Sequence, residues 1–148
     1  MNALAEQGNI PEILRIGEAL RKLPQVKLLR EHFFLPGIYV GVMYLPAGTL
    51  LTGKIHKHTH IAILAKGTLR LADGENSAIV SAGYVAYGRP GIKRLGYAET
   101  DCVFINVLST DTQSVQDEVE FDKEFVVDTF DEFETYLLES GHEQKKLQ

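Results

Sequence analysis

One cysteine, Cys102, is all the chain carries, so no intramolecular disulfide can form. That suits a reducing cytoplasm, and with no activating neighbour in sequence Cys102 reads as a small buried hydrophobe. Basic residues are outnumbered: 15 Lys and Arg against 20 Asp and Glu leave a net charge of −5. This argues against a nucleic acid as the main partner, because phosphate-backbone binding relies on clustered cations. The first nine residues lack both a positive leader and an apolar segment, so no signal peptide is expected. The run from Phe33 to Gly53 is uncharged and long enough to cross a bilayer, but Pro36, Gly37, Gly41, Pro46 and Gly48 interrupt it. Such interruptions suit strands and turns rather than a spanning helix, so no membrane partner is expected. Internal repeats and low-complexity tracts are missing too. What is left is one cytoplasmic domain of 148 residues.

Its organisation follows from the apolar spacing. Residues 11–22 have helical periodicity through Ile13, Ile16 and Leu20, with Pro11 in the first turn and Pro24 beyond the last. From 25 to about 108 the pattern changes to short strands. Strands are expected at 26–29, 37–45, 50–56, 60–65, 68–72, 77–81, 84–87 and 102–108, with Asp73-Gly74 as a hairpin turn. Many short strands without intervening helices indicate a sandwich or barrel. Acids dominate 111–139, where Lys123 is the one base. Thr129 there can cap a helix with Phe130, Phe133, Tyr136, Leu137 and Leu138 on its buried face, ended by Gly141. The expected division is a helical arm at 1–24, a barrel at 25–110 and an acidic segment with one helix at 111–148.

Between Gly48 and Gly67 three of the five histidines, His56, His58 and His60, fall within five residues among β-type apolar runs. On one extended strand alternate side chains share a face about 6.8 Å apart, so three span about 13–14 Å and cannot share one metal unless the strand bends. Tyr44, Tyr87, Tyr97 and Phe104 read as ordinary core residues near this stretch.

The order and spacing resemble the cupin superfamily. Its first motif runs Gly, five residues, His-x-His, three or four residues, Glu, six residues, Gly. Gly48 and Gly67 take the glycine positions, Lys54 stands at the first His, His56 at the second and His60 at the Glu. The second motif runs Gly, about five residues, Pro-x-Gly, two residues, His, three residues, Asn. Gly83 and Gly91 match, Pro90 is one place late, Arg94 stands at the His and Ala98 at the Asn. The resemblance implies an all-β cupin-type antiparallel barrel, a jelly-roll-like double sheet with short helices at both ends. It implies a homodimer too. The Leu50–His58, Ile63–Gly67 and Gly91–Ala98 stretches are also similar to small single-cupin proteins of phages and prophages, which implies the cytoplasm of a bacterial host.

The substitutions set the chemistry. Metal-binding cupins supply three His and one Glu, whereas Lys54 and Arg94 are poor ligands that repel a divalent cation. Lys54, His56, His60 and Arg94, with His58 as a further member or rim residue, instead suit a small anionic ligand such as a nucleotide, sugar phosphate or carboxylate. The leading expectation is therefore a binding module with no cofactor favoured, which in a phage would sequester a host metabolite or signal. Two alternatives stand beside it. One is an enzyme, using either a divalent metal on His56, His60 and His58 for oxygenase or isomerase chemistry, or a histidine as general base. The other is an inert assembly protein that acts through its acidic C-terminal segment.

Overall fold

A computed structural model describes residues 10–73, 76–110, 123 and 125–147. The described strands are β1 (Leu29–Leu35), β2 (Ile38–Leu45), β3 (Leu50–Thr52), β4 (Ile55–His56), β5 (His60–Lys66), β6 (Thr68–Asp73), β7 (Asn76–Ser81), β8 (Val85–Gly88), β9 (Arg94–Ala98), β10 (Cys102–Ser109) and β11 (Val126–Val127). Helix α1 covers Ile10–Arg21 and α2 covers Phe130–Leu147. All the described strand pairings are antiparallel. They form a five-stranded sheet in the order β1-β2-β10-β5-β8, a four-stranded sheet in the order β3-β9-β6-β7, and the pair β11-β4. The double sheet expected of the chain is there.

Two cores hold the sheets. The larger lies between them, built on Leu45, Leu64, Leu69, Leu71 and Phe104. Cys102 is buried with them as a free thiol, as its surroundings in sequence suggested. The smaller joins Tyr39, Leu108, Phe125 and Val126. A β-strand alternates sides, so the residues of β2 that face these cores are Tyr39, Gly41, Met43 and Leu45, while Ile38, Val40, Val42 and Tyr44 face out. Gly67 joins β5 to β6 with φ of 92°, and a Cβ there would run into the Asp101 carbonyl and the Cys102 sulfur. Only glycine fits that turn.

The structure departs from expectation in several elements. A seven-residue strand, β1, occupies 29–35 in place of the short strand expected at 26–29, and Val26 is 71% exposed. The expected strand 50–56 is two pieces, and β9 and β11 are additional to the expected set. Thr129 does cap α2, its Oγ1 accepting from the Glu132 amide at 3.1 Å. Gly141 does not end that helix, which continues to Leu147. Only Phe133 of the expected apolar stripe is buried; Leu137 and Leu138 are exposed. Among the described residues no helix is long and apolar enough to cross a membrane.

Candidate functional site

A cavity of about 240 Å³ opens into the barrel between the sheets. Its walls are mostly apolar, with Met43, Leu51, Leu71 and Phe104 among them, and they carry three cations: Arg30, Lys54 and Arg94. Among the described residues, no aspartate or glutamate lies on the wall. His56 and Asn106 contribute neutral polar surface. Each has a buried atom, Nδ1 and Oδ1 respectively, with no hydrogen-bond partner among the described residues.

Each of these side chains is set by its strand. Arg94 opens β9, opposite Asp73 of β6. His56 ends β4, where it pairs with Val126 of β11. His60 opens β5 opposite Gly88 of β8, and its imidazole occupies the space where any Cβ at position 88 would stand. Arg30 comes from β1 and Asn106 from β10, whose inward positions both meet β2 at residues facing the cavity. Lys54 precedes β4; its side chain is 44% exposed and its ammonium lies 3.8 Å from the Asp128 carboxylate, which puts it at the rim.

Behind the wall the histidines make a short stack. The rings of His56 and His60 lie 4.0 Å apart with 22° between their planes. Arg94 Nη1 donates to His60 Nε2 at 3.1 Å. Since a guanidinium can only donate, Nε2 is the acceptor and the ring proton is on Nδ1, directed at the His58 carbonyl 3.4 Å away. His60 itself is 2% exposed and does not reach the cavity. It serves as the post against which Arg94 rests.

Burial, then the proximity of His60, then that of Arg94, lower the His56 pKa to about 3. Burial and then Arg94 lower that of His60 to about 4. Both rings are therefore neutral at pH 7. In the unfolded chain they titrate near 6.5, so between about pH 6.5 and 4 the unfolded state binds more protons and stability falls as pH is lowered. The loss is on the order of 1 kcal/mol per pH unit for each histidine. A melting-temperature profile from pH 7.5 to 4 should be level at the top and descend steeply below about 6.5. A flat profile would contradict this pair of neutral rings.

The sequence-predicted set is divided by the structure. Lys54, His56 and Arg94 share the cavity, and His60 touches both His56 and Arg94. His58 does not join them. The chain bends there, between β4 and β5, and the ring turns to meet Tyr136 of α2, edge-on at 5.9 Å, and Phe125 at 6.2 Å. Aromatic packing from the C-terminal segment holds His58 apart from His56, His60 and Arg94. Tyr44, Tyr87 and Tyr97 also sit on outward positions, and Phe104 alone of that group lines the cavity.

The donor set does not fit a divalent metal. The acceptor nitrogen of His60 is engaged by a guanidinium, three cations share the cavity that an ion would enter, and His58 is turned away. Among the described residues no group of three His, Cys, Asp or Glu could hold a metal ion. Arg30 and Asn106 were missed from sequence. The signal for Arg30 was there in the alternation of Leu-Arg-Glu-His-Phe-Phe-Leu, but with polar residues inward.

No family model matches the chain, and no curated protein matches it in sequence. Solved structures do. KdgF from Halomonas sp. superposes with a TM-score of 0.52 at 14% identity, over 63% of this chain and 89% of its own. An RmlC-like cupin from Shewanella frigidimarina gives 0.50 at 15% identity, over 59% and 78%. The chain has a cupin fold. A protein with a double-stranded β-helix domain from Klebsiella pneumoniae gives 0.50 at 16% identity, over 59% of this chain and 80% of its own. At these identities the likeness is one of architecture, and the cupin barrel hosts unrelated chemistries, so the activity has to be argued from the cavity.

Proposed function

We propose that this cupin binds a small anionic molecule, a carboxylate or phosphate ester with a compact apolar body, inside the barrel. The observation that carries this is the cavity wall: Arg30, Lys54 and Arg94 around an apolar hollow with no acid among its described lining residues. A charge inside a low-dielectric hollow attracts an anion more strongly than one on a wet surface, and the Arg94 guanidinium can grip a carboxylate or phosphate through two hydrogen bonds, while Lys54 beside Asp128 adds charge at the rim. The buried Asn106 Oδ1 calls for a donor such as a hydroxyl on the same ligand. At about 240 Å³ the hollow is smaller than the roughly 300–1,000 Å³ of drug-sized sites, which favours a small acid over a nucleotide. Carried by a phage or prophage, as the resemblance in sequence implies, such a protein would act in the bacterial cytoplasm by sequestering a host metabolite.

Binding is favoured over catalysis. His56 stays neutral down to about pH 3 and so is a weak base at pH 7, where a general base works best with a pKa near the operating pH. The test is a thermal-shift and calorimetric panel of simple carboxylates, hydroxy acids and phosphate esters, each beside its neutral amide or alcohol. An acid present at about 100 times its Kd should stabilise the protein by about 2.7 kcal/mol, while the neutral partner does nothing. Equal binding of acid and amide, or silence across the panel, would overturn the reading.

A further inference from the structure

The cations of the cavity stand at different places along its wall. Arg30 of β1 meets Met43 of β2, and the same line across the sheet continues through Phe104 of β10 to Leu64 of β5. His60, the post on which Arg94 rests, comes four positions before Leu64 on β5. The line between the two carries His32, Gly41, Asn106 and Ala62. Strand side chains stand roughly perpendicular to their sheet, so an offset along the strands persists at their tips. At about 3.3 Å per residue it comes to about 13 Å here. β1 and β5 are three strands apart as well, though the curl of the barrel narrows that separation on the inside.

The wall between the two guanidinium groups is apolar in the main. Gly41, Met43 and Phe104 line the cavity on this stretch, with Asn106 as the polar group among them. Lys54 lies apart at the rim beside Asp128, where its charge can draw an anion in. A single carboxylate can meet one end of this stretch but not both. We infer, on the reading of the cavity as an anion site, that the ligand is a dicarboxylic acid, with one carboxylate on Arg94 and the other on Arg30.

Length and polarity both fit such a molecule. A guanidinium holds an oxygen at about 3 Å, so the two grips together leave about 7 Å between the outermost oxygens of the ligand. A diacid of about four to six carbons spans that distance when extended. Its methylene groups then lie against Met43 and Phe104, where their removal from water is favourable. Each carboxylate meets a planar fork that can donate two parallel hydrogen bonds. A monocarboxylate of the same length sets a neutral end beside the second guanidinium and forgoes that grip.

The test is calorimetry of the full chain at neutral pH with malonate, succinate, glutarate, adipate and suberate, each beside its monoamide. The monoamide keeps the length and one carboxylate. Affinity should peak between succinate and adipate, and there the diacid should bind at least about tenfold tighter than its monoamide. Arg30→Met, which keeps an unbranched side chain without the charge, should bring the two to the same affinity. A diacid and monoamide that bind the wild type equally well, or a preference that survives Arg30→Met, would overturn the inference while the anion site stands. The wild-type comparison decides by itself should Arg30→Met not fold. An affinity that rises with every added carbon would mark simple apolar burial and overturn it too. So would a phosphate ester or monocarboxylate that binds while every diacid is silent. Silence from every acid would take the anion reading down as well.

Discussion

Arg94→Ala should remove anion binding while leaving the barrel folded. The guanidinium is held in place by its hydrogen bond to His60 at 3.1 Å, so it is a preorganised part of the grip. Removing one partner of a buried charged contact typically costs about 2–5 kcal/mol, which for this site means a loss of affinity of at least about 30-fold. Arg94→Lys, which keeps the charge but not the planar fork, should fall between the two. The same substitution has a second readout. Arg94 is among the causes that lower both histidine pKa values, after burial, so its loss should move both up toward 6.5 and soften the fall in stability below that pH. Unchanged affinity in Arg94→Ala would show that the cavity is not the binding site.

Phe125→Ala should destabilise the fold strongly, far more than Arg94→Ala. Phe125 is 1% exposed, stacks on Tyr39 with ring centres 5.8 Å apart, and belongs to the smaller core with Leu108 and Val126. Its carbonyl also accepts from the Lys57 amide at 2.8 Å, just before Val126 pairs with His56. Large-to-small truncation at such a site costs about 3–5 kcal/mol. For a domain of this size that is a drop in melting temperature of about 8–15 °C. Thermal denaturation of the variant checks it. The consequence reaches the function too: β11 is the strand against which His56 is placed, so a barrel cut after Ser109 should not fold, rather than surviving as an inert scaffold without its tail. A truncated chain that melts like the full one would refute a structural role for Phe125–Val127.

Much of the barrel was legible because turn glycines and β-branched runs are local signals: Gly48, Gly67, Gly83 and Gly91 all lie between expected strands and take positive φ. His56 and Arg94 were legible through spacing, which survives even when the residue types at motif positions change. Strand β1 was not, because alternation normally sends apolar residues inward, whereas in β1 Arg30 and His32 point in while Leu29 and Phe33 point out. With β1 went Arg30, the third cation of the cavity. The role of Phe125 was hidden for a different reason. It lies in an acidic stretch whose composition reads as solvated, and only the bond of its carbonyl to Lys57 and the pairing of its neighbour Val126 with His56, some seventy positions away, tie it to the barrel. The placement of His58 was hidden for the same cause, since Phe125 and Tyr136 pack against its ring.

A crystal structure with the tightest-binding acid of the panel tests the proposed anion site most directly. The acid's oxygens should lie within hydrogen-bond distance of the Arg94 guanidinium inside the barrel, with His60 still behind it. A divalent ion held by His56 and His60 with Arg94 swung out into solvent, or an acid bound only on the outer surface, would contradict it.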